Sequence, residues 1–396
     1  MEFDNIRQSD TRAQYQICFS RERSLTRRGV LWLGLLCDAR CVFCYDRHLP
    51  AVQRGWIAFA DAISAVSRFR YTYGNRFVDF MGGEPTLYPR VLDLIDHCAS
   101  IGLAPTCITH GLHLRNRETV RAFKNAGIHD FLMSVHGVGP VADHVVQHPT
   151  LSVAAAQVAA LEHLQAEGIS VRLNVTVMTE NVTQLTDIAQ LGIRVGARVI
   201  NFVTFNPYFE WRGDVVIPFQ IRHSDAAPHI KGAIDVCAAS GVEANVRYIP
   251  LCQLRGYEQY VYTGYQLPFD QHEWDYNSWY DRGEAAPTRD WYVQASREQQ
   301  QRHGYDHTQR CITCAARTIC DGFHTQYVQR WGDGEAEQYT GKPISDVTYF
   351  IRQQLKLQYV LGHDRESGTG ATTAPASLTQ FNATLERRAG MKRPAR

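Results

Sequence analysis

The chain has 396 residues, 44% of them hydrophobic, enough for two or three domains and a large core. Its 41 basic and 40 acidic side chains nearly cancel, which argues against a dedicated nucleic-acid binder. Eleven cysteines, no charged-then-apolar N-terminus and no apolar run near the roughly 18 residues of a membrane span point to a reducing, cytoplasmic setting without a membrane, not a secreted disulfide framework.

Residues 1–28 are polar and Arg-rich with no period, either an extension over one end of the fold or a frayed end. The first strand-like run, Val30–Leu36, leads directly into Cys37-Asp-Ala-Arg-Cys41-Val-Phe-Cys44. Three thiolates on one tight loop suit three corners of an iron–sulfur cube and leave one iron without a protein ligand. Zinc is the alternative, but a structural zinc site wants a fourth ligand; His48 lies near and no further Cys completes the loop.

Strand-like runs then recur at Phe77–Met81, Pro105–Thr109, Asp130–Val135, Val171–Val177 and Arg198–Phe205. Helical runs lie between them at Ala58–Phe69, Arg90–Ala99, Thr119–Asn125, Val153–Glu167 and Gln184–Leu191. In the run at 153–167, Ala154, Val158, Leu161 and Leu164 fall on one helical face. Six β/α repeats imply a parallel sheet with right-handed crossovers, and sites in such folds sit at the C-terminal strand ends. Cys37 follows the first strand at that end. Gly82-Gly83-Glu84-Pro85 closes the second: the glycines allow close backbone approach, and Glu84 offers an acceptor for an ammonium. Alone, that segment is an ordinary turn. Thr109, His110 and Gly111, then Ser134, His136 and Asn174, are polar residues at or near later strand ends. Cys98 and Cys237 fall in helical runs, where a buried inert thiol is expected.

The β/α rhythm stops near residue 245. Residues 257–292 are crowded with tyrosine and tryptophan, either a lid able to stack on a sugar or base or an insertion that buries its own rings. Cys311-x2-Cys314-x5-Cys320 needs one more ligand, with Cys252 the best upstream candidate. Zinc and an iron–sulfur cluster both suit that spacing. A helical run over Val347–Leu361 leads to a Gly/Thr/Ala/Ser loop and a basic, solvated tail.

Cys-x3-Cys-x-aromatic-Cys, with Phe43 as the aromatic, followed by Gly-Gly-Glu after the next strand, resembles the radical S-adenosylmethionine (SAM) superfamily. The resemblance implies an open, partial (β/α)6 TIM-type barrel and a 4Fe-4S cluster on Cys37, Cys41 and Cys44, whose open iron chelates SAM. It places Phe43, Gly82, Gly83, Glu84 and Pro85 at SAM, and Ser134 and Asn174 at its ribose or carboxylate. His110 departs from the Thr-Asn-Gly common at that place. Cys-x2-Cys-x5-Cys is similar to part of the SPASM and Twitch domains, which implies one auxiliary 4Fe-4S cluster on Cys252, Cys311, Cys314 and Cys320; His324 stands where a further Cys often follows.

The resulting division is an extension over 1–28, a radical SAM core over 29–245, a cysteine-rich iron–sulfur domain over 246–345, and a C-terminal helix and tail over 346–396. The expected activity is reductive cleavage of SAM and hydrogen abstraction from an unactivated carbon. The electron donor would resemble flavodoxin or ferredoxin. Residues 1–28 leave no room for the N-terminal peptide-binding domain common in peptide-modifying members, which favours a small sugar-, nucleoside- or natural-product-like substrate over a ribosomal peptide. A non-catalytic iron–sulfur redox sensor or zinc-stabilised binding module is the rival from another class.

Overall fold

The computed structural model describes residues 15–21, 23, 28–44, 54–205, 217–266, 269 and 304–361. In chain order its strands are β1 (Tyr15–Ser20), β2 (Arg28–Gly34), β3 (Phe77–Gly82), β4 (Ala104–Thr109), β5 (Asp130–Ser134), β6 (Ser170–Val177), β7 (Val199–Thr204), β8 (Glu243–Arg247), β9 (Val261–Tyr262), β10 (Tyr305–Asp306), β11 (Phe323–His324) and β12 (Lys356–Leu361). The helices are α1 (Phe59–Tyr71), α2 (Val91–Ser100), α3 (Arg117–Ala126), α4 (Pro140–Val146), α5 (Val153–Ala166), α6 (Leu185–Arg194), α7 (His223–Ala239) and α8 (Thr325–Trp331).

Strands β2 to β9 form one parallel sheet in sequence order. All six expected strands are present. The sheet then runs on through β8 and β9, so the expected core limit at residue 245 falls inside β8. Alternation divides each strand between two faces. Leu31, Phe80, Cys107, Phe131, Leu173 and Phe202 lie on the helix side, in one large core with α1, α2, α3, α5, α6 and α7.

The opposite face is polar at its base. Arg28 donates to Asp79 (2.6 Å) and Arg172 to Asp130 (2.7 Å), all four fully buried, with Thr106 bridging Arg28 and Asp130. Buried charges persist only when paired in this way.

Local chemistry sets the element ends. Asn116 caps α3 through Glu118 N–H, and Gly127 at φ +93° terminates it; Ser152 caps α5 through Ala155 N–H. The buried stripe of α5 is not the expected one. Val153, Ala156, Gln157, Ala160, Leu161 and Leu164 face inward, whereas Val158 is exposed. Gln157 turns the helix: its amide donates to the carbonyls of His110 (2.9 Å) and Ser134 (2.8 Å), bridging the ends of β4 and β5.

The largest departure is at the C-terminus. The stretch expected to be helical over 347–361 contains a short 3-10 turn, Ile351–Gln353, and then β12, which pairs antiparallel with β1. Pairing between segments more than 300 residues apart leaves no local periodic mark. Most of the aromatic-rich stretch, residues 267–268 and 270–292, lies outside the described residues, as do His48 and the basic tail.

Candidate active site

Strand β2 ends at Gly34 and delivers the chain to Cys37, which is exposed; Cys41 and Cys44 are half-buried on the same loop. The Cys44 N–H donates to the Cys41 carbonyl (3.2 Å), closing the turn. Burial raises the Cys41 thiol pKa, and neighbouring Cys44 and Cys37 raise it further, so the three sulfurs crowd one place. Metal-free, Cys41 resists ionisation; a bound cationic core reverses that, because coordination deprotonates thiols. Among the described residues, this donor set fits an iron–sulfur cluster with three cysteine ligands.

The Gly82-Gly83-Glu84 loop is fastened to the cysteine loop backbone to backbone. Gly83 N–H donates to Gly34 O and Glu84 N–H to Leu36 O, both at 2.8 Å. A Cβ on Gly82, at φ +141°, would lie 1.9 Å from Gly34 O, and one on Gly83 2.2 Å from Leu36 O. The two glycines are thus required by the approach of one protein loop to another.

Glu84 also has a different placement from the one its position suggested. Its carboxylate, 1% exposed, accepts from Thr86 N–H (3.1 Å), Thr86 Oγ1 (2.6 Å), Thr109 Oγ1 (2.7 Å) and His110 N–H (3.0 Å). Four protein donors occupy the oxygens expected to receive an ammonium. Glu84 braces the loop, while Pro85 opens the 3-10 turn that carries Thr86.

Asp38, between the first two cysteines, is the residue that motif reading missed. His110 Nε2 donates to one of its oxygens (2.9 Å) and His113 Nε2 to the other (3.0 Å), with His148 Nε2 at 3.4 Å. Leu112 N–H points at His110 Nδ1 (3.1 Å), and the N–H groups of Thr150 and Leu151 at His148 Nδ1 (3.3 and 3.2 Å). Those amides turn each Nε2 toward the carboxylate. Burial raises the Asp38 pKa, but the bonds from His110 and His113 outweigh it and hold Asp38 well below the usual range. Burial lowers His110, whereas the Glu84 carboxylate and bonds to Asp38 and Cys37 raise it to about 10. The Leu112 amide opposes that rise by favouring a neutral ring. In either state Nε2 carries a proton.

His110 therefore stands where the family often has Asn and joins the cysteine loop to Glu84, 3.2 Å from its Oε2. The signal for Asp38 and its three histidines was scattered over residues 38 to 148 and had no fixed spacing.

Phe43 packs its edge on His136 (centroids 4.9 Å) and, more distantly, on Phe205 (6.3 Å). His136 accepts from Thr176 N–H (3.0 Å), and burial lowers its pKa to about 4, so the ring is neutral. Ser134 and Asn174 lie opposite one another on β5 and β6, both half-buried.

The second cysteine cluster assembles from two segments. Cys252 sits on a 3-10 turn after β8, with Cys311, Cys314 and Cys320 between β10 and β11. Burial raises the Cys252 pKa, and the charges of Cys311 and Cys314 raise it further; burial and then Cys252 do the same for Cys320. Each sulfur has a hydrogen-bonding group against it: Gln253 Nε2 at Cys252 (3.4 Å), Thr308 Oγ1 at Cys311 (3.6 Å), Tyr339 N–H at Cys314 (3.4 Å) and Gly322 N–H at Cys320 (3.5 Å). Four gathered thiols, three with N–H donors and one with a hydroxyl, suit thiolates ligating a cluster, since such bonds tune its potential.

Comparison with known proteins agrees with this geometry. Residues 33–192 match the model of the radical SAM superfamily. The chain is 27% identical over 131 residues to a PqqA peptide cyclase of Methylocella silvestris, covering 33% of this chain and 34% of that protein. It is 30% identical over 106 residues to a probable GTP 3',8-cyclase of Sulfolobus acidocaldarius, covering 26% and 33%. It is 29% identical over 183 residues to a PqqA peptide cyclase of Xanthomonas campestris, covering 44% and 46%. The chain thus spans between a third and a half of the length of these relatives.

Proposed function

Residues 33–192 form a radical SAM domain, and from that premise we propose that the protein is an enzyme that cleaves SAM reductively and takes a hydrogen atom from a peptide substrate. One observation supports the first half. The loop bearing Cys37, Cys41 and Cys44 and the loop bearing Gly82, Gly83 and Glu84 are joined by two 2.8 Å backbone hydrogen bonds, so metal ligands and SAM-facing backbone move as one body. When bound, the 4Fe-4S cluster supplies the electron that splits the SAM sulfonium to methionine and a 5'-deoxyadenosyl radical. The chain's own part is to hold the three thiolates, present Phe43 and the Gly-Gly backbone to SAM, and line the pocket with Ser134 and Asn174. Cys252, Cys311, Cys314 and Cys320 would hold an auxiliary 4Fe-4S cluster, with a flavodoxin- or ferredoxin-like donor supplying electrons one at a time.

The substrate class follows the relatives' names. Two of the three relatives above are called PqqA peptide cyclases, and the longer match is to one of them. A peptide is therefore preferred over the small molecule expected from the sequence. A nucleotide is the second reading, favoured by the relative named as a probable GTP cyclase. We divide the chain as a short N-terminal segment, a radical SAM core, a cluster-bearing segment from about residue 246 to 345, and a C-terminal segment. Strand β9 of the core sheet falls within the cluster-bearing segment.

Anaerobic reconstitution, with iron, sulfide and 5'-deoxyadenosine measured after addition of SAM and a strong reductant, tests the activity. About eight irons per chain and released deoxyadenosine are expected. A filled first cluster that leaves SAM intact would refute the enzyme reading, and about four irons with zinc recovered would refute the auxiliary cluster. Deuterium passing to deoxyadenosine from a labelled peptide, and none from labelled GTP, is the expected substrate result. The reverse would establish the nucleotide.

A further inference from the structure

We propose that Asn201 is a further SAM-binding residue, and that Lys356, acting through Asn245, holds its amide with the N–H donors facing the ligand. The inference rests on the radical SAM reading above.

Strand register supplies the placement. Ser134 lies opposite Asn174, Asn174 opposite Asn201, and Asn201 opposite Asn245, a polar row across β5 to β8. Their chain neighbours Leu173, Ile200, Phe202 and Val246 lie in the core on the helix side, so the row faces the opposite way, into the barrel. Its first two members are the ones that resemblance places at SAM.

Charge decides which way the amides turn. Lys356, on β12, donates to Asn245 Oδ1 (2.5 Å) and to Glu243 Oε1 (2.6 Å). An ammonium only donates, so Asn245 must give it the carbonyl oxygen. The Asn245 NH2 then faces Asn201 Oδ1 (3.0 Å) and Glu243 Oε1 (3.1 Å). Asn201 must accept with its oxygen, which leaves its own NH2 pointing elsewhere. An asparagine's oxygen and nitrogen are ordinarily interchangeable in assignment; here Lys356 settles both residues. The Asn201 Nδ2 is buried and has no partner. Unpaired buried donors are rare and unfavourable, and this one calls for an acceptor. SAM carries acceptor oxygens on its carboxylate and ribose. Lys356 lies far beyond residues 33–192, so the C-terminal strand sets the polarity of the barrel interior.

The test is equilibrium dialysis of SAM against the full-length, anaerobically reconstituted protein, with thermal melts in the presence and absence of SAM. Failure of the parent protein to bind SAM would overturn the proposed function and this inference with it. Where the parent binds, Asn201→Leu is expected to weaken SAM roughly tenfold, with only a small loss of melting temperature in its absence, because removal of an unpaired donor offsets the loss of the acceptor for the Asn245 NH2. Asn245→Asp can only accept toward Asn201; it turns that amide round and is expected to weaken SAM similarly. A parent-like SAM affinity in Asn201→Leu would overturn the inference, whether or not the melting temperature falls, and leave the proposed function standing. The same result in Asn245→Asp would overturn the orienting role of Lys356.

Discussion

Glu84 shows how a motif residue and its chemistry part company. Its carboxylate is committed to Thr86, Thr109 and the His110 backbone, so its effect on SAM passes through the loop it holds. Glu84→Gln keeps the volume but puts an NH2 group among donors and removes the charge. We expect a stability loss of about 1.5–3 kcal/mol and weaker SAM binding, with iron content on Cys37, Cys41 and Cys44 retained. Melting curves, dialysis and iron assay on one preparation check this; loss of iron in step with SAM affinity would mean that Glu84 supports the cysteine loop as well. Asp38 holds that loop more directly, through His110 and His113, with His148 close by.

At the scale of elements, the site depends on how closely two loops approach. Gly83→Ala would set a methyl carbon 2.2 Å from Leu36 O, and backbone rather than a flexible side chain has to give. Deoxyadenosine release is expected to fall at least tenfold, the loss of about 1.4 kcal/mol of transition-state stabilisation, while circular dichroism stays native. Gly334→Ala, where a Cβ meets nothing within 4 Å, is the control and should match the parent. The second cysteine cluster draws on a turn after β8 and a loop between β10 and β11. Cys252→Ser leaves that cluster three thiolates; iron should drop toward about four per chain while some SAM cleavage survives. Full iron retention would remove Cys252 from the ligand set.

For the molecule as a whole, burial makes stability depend on pH. Burial lowers the folded-state pKa to about 4 for His136, and to about 3 for His223, which stacks on Tyr327 at 4.1 Å. An ordinary histidine titrates near 6.5. Between those values the unfolded chain takes up protons that the folded chain refuses, so stability falls as pH drops from about 6.5 toward 4. Urea midpoints measured at pH 7.5 and 5 should show this, and His223→Gln should lessen the difference. An unchanged difference would place the acid sensitivity elsewhere. The chain is also closed at the level of the whole fold: β1 pairs with β12, and Lys356 of β12 reaches the buried Glu243 of β8.

The sequence by itself determined the six β/α repeats, the cysteine loop after the first strand and the Gly-Gly-Glu turn after the second. Each is written in local order, as alternation, periodicity or fixed spacing along a few residues. It also singled out Cys252 as the thiol to place with Cys311, Cys314 and Cys320, beside which the fold sets it. Tertiary structure alone decided what the polar side chains do. Glu84 became a brace because Thr109 and His110 arrive from the next strand. Gln157 turned inward because two strand-end carbonyls needed a donor. Residues 356–361 became a strand because β1 was there to pair with. In each case the partner is distant in sequence, and a hydrogen bond depends on a distance and an angle that no local pattern encodes.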